Sequence, residues 1–201
     1  MKKLLCTGLI VLVSWVAAGS AAAANNPETA RELLKSKIDS VLEVLGQTEL
    51  SDAEKRERVE SIVDPVFHYT LMAKLALGPR HWPKLTPEQQ ETFSKRFIQR
   101  VKASYFDKIS MYSADAGAEF TYHPIRTRNG KVYVPVEVRT GSNKIDMVYK
   151  FYRTGGSWRI YDVEVNGVSI IQSYRSQFNQ FLKEATVEEL LRDLKSDEKL
   201  Q

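Results

Sequence analysis

The chain has 201 residues, 43% hydrophobic and 27% charged, with a formal net charge of +4 and a single cysteine. A chain of this size can bury roughly 70% of its unfolded surface within one domain. One cysteine excludes a disulfide framework and a Cys-ligated metal cluster, and the small charge excess gives little support to nucleic-acid binding.

The first residues read as an export signal. Lys2 and Lys3 form a positive start, Leu4 to Val16 an apolar run, and Ala22-Ala23-Ala24 the small residues of a cleavage site. The apolar run is short for a membrane span of roughly 20 residues, and no basic flank follows it. Cys6 precedes most of the run, too early for a lipid-attachment cysteine. The expected division is a signal peptide over 1–24 and one mature domain over 25–201. Cleavage removes Cys6 and two lysines, so the mature chain carries no thiol and loses two of its positive charges. It must then be stable in an oxidising compartment through its core alone.

Asn26-Pro27 starts a helix whose apolar positions run Ala30, Leu33, Leu34, Ile38, Val41, Leu42 and Leu45 up to Gly46. Ser51 and Glu54 have capping-box spacing and open a second helix, which should end near Asp64-Pro65. Phe67, Leu71 and Leu75 suggest a further helical piece before Gly78. Thr86-Pro87-Glu88-Gln89 opens a long helix to about Tyr112, with Phe93, Phe97, Ile98, Val101, Tyr105 and Ile109 on its apolar face.

From Glu119 the period changes to two, and four strands are expected. Asn129-Gly130 marks a hairpin turn. Val132, Val134, Val136 and Val138 alternate with polar neighbours, and Pro135 suggests an edge or a bulge. The third strand covers about Lys144 to Arg153 and the fourth about Ser157 to Asn166. Matching apolar rows sets the register: Val138 opposite Ile145, Val136 opposite Met147, Val134 opposite Tyr149. After Thr154 a three-residue turn pairs Phe151 with Tyr161, Tyr149 with Val163, and Met147 with Val165. This leaves one nearly charge-free face, with Tyr133, Val148, Tyr152, Trp158 and Ile160 on the other. A helix from Ile171 to near Ala185 follows, and Thr186 with Glu189 caps a last one. The fold class is α+β: a curved antiparallel sheet with helices on its charge-free face.

The chain lacks a G-x-S-x-G elbow, a phosphate-cradling loop, an H-E-x-x-H motif and an EF-hand loop. His68, His81 and His123 fall on different elements. Asp162 and Glu164 share a sheet face; an acid–base pair and a salt bridge to Lys150 or Arg159 are the competing readings. Arg126, Arg128, Lys131, Arg139, Arg153 and Arg159 form either a solvated sheet edge or a rim for acidic groups. The many aromatic residues make either a filled core or a lined cavity, and periodicity does not distinguish these.

Trp158, Asp162-Val163, Gly167-Val168-Ser169, Tyr174-Arg175 and Phe178 occur in the order found in the MlaC family of phospholipid-binding, toluene-tolerance proteins. Leu77-Gly78, Trp82, Leu85-Thr86, Gln89-Gln90 and Phe93 resemble that family's upstream segment. The resemblance covers nearly the whole mature chain. It implies a monomeric periplasmic carrier with a nuclear-transport-factor-like sheet and a deep apolar pocket. It also implies exchange of phospholipid with an outer-membrane lipoprotein complex and an inner-membrane ABC transporter bearing an MCE-domain component, in the service of outer-membrane lipid asymmetry. No catalysis, cofactor or metal is implied; the phospholipid is cargo.

On that resemblance, acyl tails are expected against Val134, Val136, Val138, Met147, Tyr149, Phe151, Val163 and Val165. The helix residues Phe97, Val101, Tyr105, Val168, Ile171 and Tyr174 would close over them. Arg126, Arg153 and Arg175 are the candidate head-group or partner contacts, Arg175 being equally a clamp for the turn at Gly167. The rival readings are an enzyme using Asp162 or His123 in an apolar cone, and an interaction module without a ligand.

Overall fold

The computed structural model describes residues 26–114 and 117–196, apart from the side chains of 105–114 and of Ser196. The expected export signal, with Cys6, lies outside the described residues. Helix α1 spans Glu28–Leu45; the Asn26 side chain accepts from the Glu28 N–H at 3.0 Å, satisfying one of the orphan donors of the first turn. Ser51 and Glu54 close a reciprocal capping box on α2, Asp52–Val63. Pro65 cannot supply the next helical N–H, and the chain tightens into a 3₁₀ turn at Asp64–Val66.

Phe67 then bridges Ile160, and the His68 N–H donates to the Ile160 carbonyl at 2.8 Å. Helix α3, Tyr69–Leu77, follows. It stops at Gly78, whose φ of +81° favours glycine. The Thr86–Gln89 box starts α4, Pro87–Ala114. Lys102 ties α4 to the end of α2 through Glu60 at 2.9 Å and Asp64 at 2.7 Å.

The sheet has six strands: β1 Glu119–Tyr122, β2 Arg126–Arg128, β3 Lys131–Thr140, β4 Asn143–Thr154, β5 Ser157–Val165 and β6 Val168–Ser169. All pairings are antiparallel, in the order β1-β3-β4-β5-β6, with β2 also on β3. The single strand expected before Asn129-Gly130 is divided at Pro124, and its two pieces share the outer edge of β3. Pro135 explains how a proline sits inside a paired strand. A residue's N–H and C=O point to the same side of an antiparallel strand. Its carbonyl accepts from the His123 N–H at 3.0 Å, so its missing N–H faces the gap between β1 and β2, where no ladder bond is required.

The β3–β4 register is the one expected from the apolar rows, closed by a two-residue Gly141-Ser142 turn. The β4–β5 register is as expected for Met147–Val165 and Tyr149–Val163, but Phe151 faces Ile160 rather than Tyr161. Gly155 and Gly156 both have positive φ, +56° and +80°, making a two-residue turn instead of three. The residue this leaves over, Tyr161, is extruded as a bulge beside Lys150–Phe151. The bulge reverses the faces beyond it. Ile160 (1% exposed) joins the helix-covered side, and the Trp158 indole N–H donates to Thr29 of α1 at 2.8 Å. Tyr161 turns outward, edge-on to Tyr152 and under the Lys131 ammonium.

Helix α5, Ile170–Phe181, ends before the expected Ala185, and the chain continues in single turns. Helix α6, Val187–Ser196, carries the expected Thr186–Glu189 box. It docks on α4, where Arg96 donates to the Leu191 carbonyl and Arg100 to that of Asp193. The α+β class is observed, with the helices packed on the charge-free side. Among the described residues no helix is long and apolar enough to cross a membrane.

Candidate functional site

The apolar residues expected to form one lining fall into two groups. Around Phe97 the interior is full. Phe93, Phe97, Tyr174 and Phe178 interlock with ring centroids 5.1 to 6.0 Å apart, in stacked and edge-on arrangements favoured by the ring quadrupoles. Phe97, Val134 and Phe151 are 0% exposed, so no water-sized space adjoins them. Val163, Ile171 and Tyr174 complete this packed end. Protein interiors are close-packed, and a ligand entering here must displace side chains.

At the opposite end of β4 the packing opens. Ile145, Met147 and Tyr149 on β4, Val165 on β5, and Phe120 and Tyr122 on β1 touch the core but stay half-buried. Val136 and Val138, which pair with them across β3, are buried beneath their neighbours at 1% and 6% exposure. Helix α1 gives Ala30 and Leu34 to the core, yet Val41, Leu42 and Leu45 further along are half-exposed. Burial raises the pKa of the Tyr122 hydroxyl to about 12, with a smaller electrostatic contribution from Asp39 of α1. From α4, Val101 belongs to the same apolar cluster; the Tyr105 side chain lies outside the described residues.

Tyr149 shows where the remaining surface points. Protein atoms surround it densely enough for burial to push its hydroxyl well above the usual tyrosine range, yet the side chain retains accessible surface. Tyr149 thus stands half-buried beside the half-buried Met147 on β4 and Val165 on β5. Among the described residues the Tyr149 hydroxyl meets only the Met147 sulfur, at 3.6 Å. The Tyr122 hydroxyl is buried and has no hydrogen-bond partner among the described residues. Tyr122, Phe120 and Ile145 were not among the site residues expected from the sequence. A four-residue strand shows its alternation only once, in Phe120 and Tyr122.

Four expected contacts sit elsewhere. Val168 lies on β6, not on a closing helix, and is 59% exposed, because the Asn166-Gly167 turn reverses the chain at the sheet edge. Arg126 pairs across from Tyr133, and directly opposed residues share a face, so it stands on the outer side of the sheet. Arg175 packs against Gly78 and donates from Nε to the Leu75 carbonyl at 2.7 Å. It clamps the end of α3, not the Gly167 turn. Arg153 bonds the Gly156 carbonyl at the end of β4 remote from Met147. There it borders a shallow depression of about 460 Å³ with Leu33, Lys37 and Trp158.

The acidic pair is structural. Lys150 Nζ bridges Asp162 at 2.8 Å and Glu164 at 2.5 Å. Asp162 also accepts from Ser169 Oγ at 2.7 Å and the Ile171 N–H at 3.2 Å, capping α5. Burial works against the Lys150 charge, but the bonds to Asp162 and Glu164 outweigh it and raise its pKa. Of the histidines, His81 bonds Asn179 at 3.0 Å and His123 lies 3.8 Å from Glu137. Among the described residues no group of His, Cys, Asp and Glu is placed to hold a metal ion.

Comparison with known proteins gives three likenesses. The sequence matches the family described as MlaC protein over residues 35–196. It is 27% identical over 125 residues to the toluene tolerance protein ttg2D of Pseudomonas putida. That stretch is 61% of this chain and 56% of the relative, so the chain matches little more than half the relative's length. The fold superposes on a phospholipid-binding protein from Ralstonia solanacearum, solved in complex with a phospholipid, with a TM-score of 0.73 and 22% identity. The superposition covers 83% of this chain and 95% of that one.

Proposed function

The chain belongs to the MlaC family, and from that premise we propose that it carries a phospholipid, with the acyl tails held at the open end of the sheet. The observation that carries this reading is the run of half-buried apolar residues Ile145, Met147, Tyr149 and Val165 on the helix-covered sheet face, whose surface the protein's own side chains leave partly uncovered. Apolar surface facing space inside a fold is unfavourable unless something apolar occupies it. Each buried methylene contributes ~0.8 kcal/mol, so about 30 methylenes in two tails sum to on the order of 20 kcal/mol. A lipid cannot leave a membrane for water at a useful rate against such a cost; an apolar hollow with a moving protein around it removes most of it.

The role extends to what the family implies. After loss of residues 1–24, the mature monomer works in the periplasm. It exchanges phospholipid with an outer-membrane lipoprotein complex and with an inner-membrane ABC transporter bearing an MCE-domain component, and so maintains lipid asymmetry. The protein is not an enzyme in this reading and needs no cofactor. Lys150 bridges Asp162 and Glu164, and Asp162 is further committed to Ser169 and the Ile171 N–H, a structural role for the pair. Incubating the purified mature chain with phosphatidylethanolamine liposomes and then floating the liposomes away tests the proposal. Lipid should remain with the protein in a fixed ratio; protein that stays lipid-free at every lipid excess contradicts it.

A further inference from the structure

The two phenol hydroxyls at the open end have no use in a purely apolar hollow. Tyr122 and Tyr149 lie on neighbouring rows of the helix-covered sheet face. The Tyr122 hydroxyl is buried without a partner among the described residues. The Tyr149 hydroxyl has, among the described residues, only a thioether sulfur, a weak acceptor. Buried hydroxyls are ordinarily paired, and an unpaired one is costly. Burial raises both above the usual range, Tyr122 to about 12, so both remain O–H donors at any physiological pH.

What they can donate to is narrowed by their surroundings. Among the described residues the charge that acts on Tyr122, after burial, is the Asp39 carboxylate, which disfavours an anion such as a phosphate or a free fatty carboxylate. A neutral acceptor attached to a long apolar chain fits both constraints. We infer that Tyr122 and Tyr149 donate hydrogen bonds to the acyl-ester carbonyl oxygens of the bound lipid, so that the hollow reads the ester linkage as well as the tails. This rests on the carrier reading and adds to it a basis for choosing among lipids.

The test compares a diester phosphatidylcholine with its diether analogue, matched in head group and tail length, in direct competition for the wild-type protein. Each neutral hydrogen bond is worth roughly fivefold, so the diester should be retained about tenfold or more in preference. The double variant Tyr122→Phe, Tyr149→Phe should bind the two lipids within about twofold, losing affinity for the diester alone. Equal binding of both lipids by the wild type overturns the inference and leaves the carrier reading standing. A preference that survives in the double variant also overturns it. Failure of the wild type to bind either lipid removes the carrier reading itself. The wild-type comparison needs no variant to fold.

Discussion

Substituting Met147 by Trp distinguishes a lined space from a packed one. Met147 is half-buried at the open end, whereas Phe151, two positions further along the same face of β4, is 0% exposed. A larger side chain forced into a close-packed interior costs about 1–3 kcal/mol, and truncating Phe151 to Ala costs about 3–5 kcal/mol. For a domain of this size each kcal/mol moves the melting temperature by roughly 2–4 °C. Phe151→Ala should therefore lower the melting temperature by about 6–20 °C. Met147→Trp should lower it by less than about 3 °C, because the indole enters open space. The same indole takes room from roughly three lipid methylenes, about 2.4 kcal/mol, or on the order of 60-fold in lipid affinity. Thermal melts of lipid-free protein, paired with liposome-uptake titrations, measure both quantities. A Met147→Trp protein that melts like Phe151→Ala, or takes up lipid as the wild type does, refutes the reasoning.

Other substitutions probe the frame around the hollow. Asp162→Asn removes the charge that Lys150, Ser169 and the α5 N-terminus share. Denaturant unfolding should show a loss of roughly 2–3 kcal/mol, since Glu164 still faces Lys150, while lipid uptake by folded protein is unchanged. Arg175→Ala releases the α3 carboxyl end at Leu75 and Gly78 and should cost about 1–2 kcal/mol by the same measurement. The bonds from Lys144 and Arg139 lower the Glu137 pKa to about 2. Its contribution to stability is thus complete above the ordinary glutamate value and is lost as the pH falls through 2. Melting temperatures recorded from pH 6 down to pH 2 should fall less steeply for Glu137→Gln than for the wild type.

What the sequence discloses here is what local chemistry determines. The boxes Ser51–Glu54, Thr86–Gln89 and Thr186–Glu189 set three helix starts, because their hydrogen bonds close within four residues. The alternation Val132 to Val138 determines the β3–β4 register, because any one-residue slip would turn the apolar row outward. The register beyond Lys150 depends on how much chain the Gly155-Gly156 turn consumes. The bulge at Tyr161, with the resulting exchange of Ile160 and Trp158 between faces, is visible only in three dimensions. Pro124, which divides β1 from β2, leaves no mark on the alternation around it.

The candidate site was less legible for a related reason. Phe97 and Met147 occupy equivalent positions in their apolar patterns, and nothing in either pattern says that one is wedged among rings while the other borders open space. Tyr122 escaped notice because β1 is only four residues long. The arginines' surroundings were not legible because sequence alone does not say whether a basic side chain is tied to a carbonyl within the fold, as Arg175 is to Leu75, or stands on the outer sheet face, as Arg126 does.

The central claim is that lipid occupies this protein where it works. Native mass spectrometry of the full-length gene product, exported and purified from the periplasm without detergent, measures that directly. The account predicts a mature chain beginning near residue 25, with a bound mass that organic extraction identifies as phospholipid. A spectrum containing only the bare chain, with nothing acquired after incubation with liposomes, contradicts it.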